Sequence, residues 1–247
     1  MSVTAQSPTV SASEIAHFQA MADQWWDSSG DFKPLHQLNI PRLAFARENL
    51  LDHFGRRDRQ VRPFEGLSLL DVGCGGGLLS EPMSRLGFAV TGIDAGERNI
   101  SVARLHAEQA GLSIDYRCAL AESLEERFDV VTCMEVIEHV PDPAAFLVAV
   151  ADRLKPGGAF VGATLNRTPQ SLALAVVGAE YILRWVPRGT HDWRKFIRPS
   201  EFAAGLRRSG IAPRAFEGIR YVPLRGTWEA CPGLDINYCV FGVKPER

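Results

Sequence analysis

Three groups of residues in this chain are of types that do chemistry, and their spacing suggests which chemistry. The first is L-L-D-V-G-C-G-G-G-L-L-S, Leu69–Ser80. Gly73, Gly75 and Gly77 permit a sharp turn and put no Cβ in the way of a ligand. A helix starting just after them would offer free N–H groups to a carboxylate or phosphate. The spacing is G-x-G-x-G with leucine at 78, which counts against the G-x-G-x-x-G of dinucleotide oxidoreductases. The second group is a pair of acids. Asp94 closes V-T-G-I-D, twenty-three residues after Asp71. A carboxylate there can accept both ribose hydroxyls of a nucleoside. Asp71 can hold the loop or reach a ligand ammonium. The third group is E-V-I-E-H, Glu135–His139. Its two carboxylates and imidazole, at i, i+3 and i+4, would converge if the segment were helical. Such an oxygen-rich set suits Mg²⁺, and His139 can equally serve as a base. The plainer reading of the string is packing and hydrogen bonding.

The elements that must carry these groups follow from periodicity. Strands are expected at Leu67–Val72, Ala89–Ile93, Ile114–Cys118, Phe128–Met134 and Ala159–Leu165. Helices are expected at Leu78–Leu86, Arg98–Ala110 and Pro143–Leu154. This alternation predicts an α/β fold with an open, mostly parallel, Rossmann-like sheet and helices on both faces. Two last strands, near Pro213–Tyr221 and Ile236–Val243, follow a helix at Ser200–Ser209. The link between them reads as a loop, which suits an antiparallel sheet edge. At the other end, residues 1–12 are small and polar and read as disordered. Ile15, Phe18, Met21, Ala22 and Trp25 have helical spacing to about Trp26, Gly30–Arg42 with its two prolines reads as irregular, and a helix is expected from Arg42 to Phe54.

Composition bounds the function. With 247 residues, 46% hydrophobic and 23% charged, the chain is neither disordered nor fibrous. Lys+Arg number 27 against 29 Asp+Glu, so no basic excess points to nucleic acid. The five cysteines form no C-x-x-C pair, which disfavours zinc and suits reduced thiols in the cytoplasm. No secretory signal or run of the ~20 apolar residues needed for a membrane span is visible. Residues 166–198 interrupt the alternation with an apolar run, Ser171–Val186. From 184 to 198 there are five Lys/Arg and one Asp, a net of +4. An apolar helix with a tryptophan and flanking cations suits a bilayer interface; a lid or core helix packed on the sheet fits equally well.

D-V-G-C-G-G-G with G-I-D downstream and the K-P-G-G turn resembles the class I S-adenosylmethionine-dependent methyltransferases over residues 67–165. One departure is Leu120, which stands about where many members carry an adenine-binding Asp; backbone groups near Ala121 are expected to serve instead. F-x-x-M-A-x-x-W-W-D, G-D-F-K-P-L-H-Q-L-N, T-L-N-R-T and V-V-G-A-E-Y-I-L-R-W-V-P-R-G-T-H-D-W resemble one subfamily, the ubiquinone biosynthesis O-methyltransferases, from about Phe18 to Tyr238. With the element pattern above, the chain divides into an N-terminal helical cap at 13–63 and a methyltransferase domain at 64–247 that carries the 166–198 insertion. The resemblance implies methyl transfer to 2-polyprenyl-6-hydroxyphenol and 3-demethylubiquinol. It places cofactor contacts at Arg42, Gly73, Asp94 and Met134, and a divalent metal such as Mg²⁺ at Glu135, Glu138 and His139.

Arg42 suits the cofactor carboxylate through its two-pronged fork; a surface arginine is the alternative. For Met134 the alternative is a core methionine. His139 is the first candidate base, with His36 and His191 behind it. A prenylated phenol or quinol substrate implies a cytoplasmic enzyme peripheral to the inner face of a membrane, beside other ubiquinone biosynthesis enzymes and without nucleic acid. The rival readings are a methyltransferase of another small molecule and a lipid-binding scaffold.

Overall fold

The computed structural model describes residues 9, 11, 13, 15–16, 22–27, 29–30, 32–57, 59–173 and 192–246. Eight strands make one sheet: β1 (Ser68–Val72), β2 (Ala89–Asp94), β3 (Asp115–Cys118), β4 (Phe128–Met134), β5 (Leu154–Leu165), β6 (Ala212–Val222), β7 (Thr227–Cys231) and β8 (Asn237–Val243). Their order is β3-β2-β1-β4-β5-β8-β6-β7. The first five strands are parallel, and β8 runs antiparallel to both β5 and β6. The chain winds outward from β1 to β3 and then returns to the other side of β1. The carboxyl ends of β1 and β4 therefore flank a topological switch point, where ligands bind in such sheets.

Among the described residues, five helices of six or more residues accompany the sheet: α1 (Lys33–His53), α2 (Ser80–Arg85), α3 (Glu97–Gln109), α4 (Pro143–Asp152) and α5 (Pro199–Arg208). Alternate strand residues feed two separate cores. Leu70, Val131 and Phe160 pack with Phe146 of α4 and Phe202 of α5. Leu69, Val130 and Val161 pack with Leu38 and Phe45 of α1 and Met83 of α2.

The parallel strands match the sequence reading except that β5 begins at Leu154 where a helix end and a turn were expected before Ala159, and other parts of the fold differ from it in specific places. Gly30–Arg42 is not irregular, because α1 begins at Lys33 and contains Pro41. Pro34 stands in the first turn, where its missing N–H is not needed. Pro41 costs one ladder hydrogen bond, and the burial of Leu38, Arg42, Phe45 and Leu50 against the sheet offsets it. The link between the last two strands holds β7. Gly226, at φ +64°, lets the chain turn, and Trp228 faces Tyr221 across the pair with ring centroids 5.4 Å apart. The helix expected up to Trp26 ends instead in a 3-10 turn, Ala22–Gln24, and residues 17–21 lie outside the described residues. Most of the apolar run at 171–186 also lies outside them. Among the described residues no helix is long and apolar enough to cross a membrane.

Candidate active site

β1 ends at Val72, and the chain then turns through Gly73 and Gly75 with φ of +71° and +53°. Protein atoms occupy the space that Cβ atoms would need: Val136 at Gly73, Trp25 at Gly75 and Gly76, Tyr116 at Gly77. The glycines thus let the loop pack closely against its own chain. Asp94, at the end of β2, fastens this loop. Its Oδ2 accepts the Gly75 N–H at 3.1 Å, and its Oδ1 accepts the Gly96 N–H at 2.7 Å and Asn99 Nδ2 at 3.1 Å. Burial raises its pKa, and these three bonds pull against that rise. Asp71 holds the base of the loop. It accepts Ser80 Oγ at 2.6 Å and Thr132 Oγ1 at 2.8 Å, joining β1 to β4 and to the start of α2. Burial pushes its carboxyl up to about 6, against the two hydroxyl bonds and helped by the neighbouring Asp94.

The E-V-I-E-H string is not a helix turn that stacks its acids. Glu135 takes a left-handed backbone, φ 54°, directly after β4, and only Ile137–His139 closes a 3-10 turn. A non-glycine residue in that region is held there by its surroundings. The cause is visible: Arg42 Nη2 lies 2.5 Å from Glu135 Oε1, and Asn237 Nδ2 donates to the same oxygen at 3.1 Å. Glu138 points elsewhere, into the interior. Burial and the nearby Glu135 hold its carboxyl well above the usual range, while His139 draws it down. Among the described residues neither Glu138 oxygen has a hydrogen-bond partner. Nor do the described residues contain a group of three or more His, Cys, Asp or Glu side chains arranged to hold a metal ion. Glu135, Glu138 and His139 as placed do not fit the expected Mg²⁺ site, because the left-handed turn sends Glu135 to Arg42 and out of register with the other two.

A pocket of about 300 Å³ opens at the carboxyl ends of β1, β2 and β4, and Arg42, Gly73, Asp94, Met134, Glu135 and His139 all line it. Glu138 is not in its wall. Arg42 is no surface arginine: it is 1% exposed, carried on the buried stripe of α1. Its Nε is buried with no hydrogen-bond partner among the described residues. The pocket fits S-adenosylmethionine on these observations, with a carboxylate for ribose hydroxyls in one part and an open guanidinium donor for a carboxylate in another. Leu120–Glu122 also line it, and Thr9 donates to Glu122, so a carboxylate lies two residues past the expected position. His36 is engaged elsewhere, its Nε2 3.0 Å from the Trp25 carbonyl. His191 lies outside the described residues.

Sequence reasoning assigned no role to Trp25, Asn99, Val136 or Asn237. A tryptophan in an N-terminal segment and a lone asparagine carry no spacing that ties them to a distant loop.

The comparisons agree with this geometry. A family model described as a methyltransferase domain matches residues 40–214. A crystal structure of magnesium protoporphyrin IX methyltransferase from Synechocystis PCC 6803 with bound S-adenosylhomocysteine aligns at TM-score 0.59 and 17% identity, covering 84% of this chain and 85% of that one. A methyltransferase structure from Thermotoga maritima aligns at TM-score 0.61 and 16% identity, over 94% and 99% of the two chains. Fold, pocket and domain match together define a class I S-adenosylmethionine-dependent methyltransferase. The ubiquinone biosynthesis O-methyltransferase of Paramagnetospirillum magneticum (strain ATCC 700264 / AMB-1) is 62% identical over 238 residues, 96% of each chain. That of Dinoroseobacter shibae (strain DSM 16493 / NCIMB 14021 / DFL 12) is 49% identical over 247 residues, 98% of this chain and all of that one. The chain belongs to the ubiquinone biosynthesis O-methyltransferases, and it is an S-adenosylmethionine-dependent O-methyltransferase.

Proposed function

We propose that this enzyme methylates the phenolic hydroxyls of polyprenylated ubiquinone precursors, 2-polyprenyl-6-hydroxyphenol and 3-demethylubiquinol. The observation that carries this is the 62% identity to a protein of that name over 96% of both chains. When bound, S-adenosylmethionine supplies an activated methyl: an oxygen–carbon bond forms as the sulfur–carbon bond breaks, its electron pair stays on sulfur, and S-adenosylhomocysteine leaves. The chain's own residues position the partners and remove one proton. In this reading Asp94 accepts the ribose hydroxyls, Arg42 meets the carboxylate of the methionyl end, and Gly73 and Met134 form the wall between. His139 takes the phenolic proton and returns it to solvent. No step is routed through a metal. The prenyl tail places the enzyme at the cytoplasmic face of a membrane, beside other enzymes of the pathway. The composition of 171–198 supports that contact, although residues 174–191 lie outside the described residues. Equal liposome flotation of wild type and Trp185→Glu would defeat it.

The test is an acceptor panel at saturating cofactor: a short-tailed 2-prenyl-6-hydroxyphenol, a short-tailed 3-demethylubiquinol, unprenylated catechol and histamine. The proposal expects turnover of the first two, with the tail lowering KM. Faster turnover of histamine, or of catechol at equal KM, would overturn it.

A further inference from the structure

The W-W-D string precedes the sheet by forty residues and has no part in the mechanism above, yet both indoles grip the glycine loop. The Trp25 ring lies over Gly75 and Gly76, where a Cβ on either glycine would come within 2.5 Å of it. Its Nε1 donates to Asn99 Oδ1 at 3.1 Å. An indole N–H can only donate, so it claims the amide oxygen and leaves Asn99 Nδ2 to donate to Asp94 Oδ1, also at 3.1 Å. Trp26 meets the same loop through its own N–H. Its Nε1 donates to the Gly76 carbonyl at 2.9 Å. Its ring stacks on His106 of α3, with centroids 3.4 Å apart and planes 3° from parallel. His106 Nδ1 in turn lies 2.5 Å from Oε1 of Glu81, which is buried on α2. Asp27 then turns the chain away: its Oδ1 accepts the N–H groups of Ser29 and Gly30. His36 of α1 meets the Trp25 carbonyl.

We propose that Trp25 and Trp26 are positioning residues for the cofactor. Trp25 aims the ribose-binding carboxylate of Asp94 through Asn99. Trp26, braced by the His106–Glu81 pair, fixes the Gly76 carbonyl and with it the curve of the loop. The proposal rests on reading this pocket as the cofactor's. It makes seating of the segment before α1 a condition of tight cofactor binding, and it leaves proton transfer and acceptor binding to other residues.

The experiment titrates S-adenosylhomocysteine into the full chain by calorimetry for wild type, Trp25→Phe, Trp26→Phe, Asn99→Ala and the Trp25→Phe/Asn99→Ala pair. Each phenylalanine keeps a ring and deletes one N–H, so Kd should rise about fivefold per variant, the worth of one hydrogen bond. Trp25 acts through Asn99, so the pair should bind no more weakly than Asn99→Ala alone. At saturating cofactor, kcat and the acceptor KM should stay within about twofold of wild type, while the ligand-free protein, which also loses the bond, should melt only about 2–4 °C lower. Unaltered Kd in both phenylalanine variants, or fully additive losses in the pair, would overturn the proposal. So would losses in Kd, kcat and melting temperature that move together, since those describe a structural role alone. Failure of the wild type to bind S-adenosylhomocysteine would instead strike the cofactor reading of the pocket.

Discussion

Replacing Arg42 by methionine separates two roles that the structure gives one side chain. The guanidinium is 1% exposed and its Nη2 lies 2.5 Å from Glu135 Oε1. Removing one partner of a buried pair costs about 3–5 kcal/mol, because the other charge is stranded. Glu135 keeps a fifth of its side-chain surface in solvent and the Asn237 donor at 3.1 Å, so the lower end, about 3 kcal/mol, applies. For a chain of this size that is a fall in Tm of roughly 6–12 °C. Changing Glu135 to Gln as well removes the stranded charge and keeps an oxygen for Asn237. The double variant should therefore recover about 2 kcal/mol in urea unfolding at pH 7. Cofactor affinity should not recover with it. A charge-assisted contact to the cofactor carboxylate is worth about 1.5–3 kcal/mol, so Kd for S-adenosylhomocysteine should rise roughly ten- to a hundredfold in both variants. A double variant as unstable as the single one would refute the pairing argument. An unchanged Kd would refute the cofactor role.

Other consequences follow from the same geometry. Asp71 holds its proton more tightly folded, with a pKa of about 6, than unfolded, at 3.8. The folded state is therefore favoured at acid pH, and stability falls as pH rises through that window, by about 3 kcal/mol. Urea unfolding from pH 4 to 7, which spans most of that window, should show wild type losing about 2 kcal/mol relative to Asp71→Asn; a flat difference would contradict the assignment. Gly73→Ala forces an alanine to φ +71° against Val136, which should cost about 2 kcal/mol or more. Adding Val136→Ala relieves the overlap but not the backbone strain, so thermal melts should show partial rescue, and full or no rescue would be the wrong outcome. Because Glu135 is drawn to Arg42 and Glu138 is out of the pocket wall, prior chelation should leave the transfer rate unchanged. A loss restored by Mg²⁺ would contradict this reading.

Much of the sheet was legible because short continuous apolar runs alternating with helical stretches leave few arrangements open; β4 was read to the residue, Phe128–Met134. The pocket residues Gly73, Asp94 and Met134 were legible for a related reason, since each lies at the carboxyl end of a parallel strand, where the fold puts ligands. Arg42 was placed through resemblance, and its burial could not be read while Pro41 argued against a helix there. Glu135 was misread because its left-handed turn depends on Arg42 and Asn237, both more than ninety residues away in sequence. Trp25 looked like part of the apolar stripe of an amphipathic helix, and Trp26 like that helix's end. Their partners Asn99, Gly76 and His106 become neighbours only once β2 and α3 are in place.

The most direct test of the central claim is to follow a ¹³C label from the methyl group of S-adenosylmethionine. The acceptor would be a short-tailed 3-demethylubiquinol, with the product read by NMR. The account predicts one aryl methoxyl signal, formed in step with S-adenosylhomocysteine and abolished in Asp94→Ala. Label found on carbon or nitrogen, or no transfer from an enzyme that binds the cofactor, would contradict it.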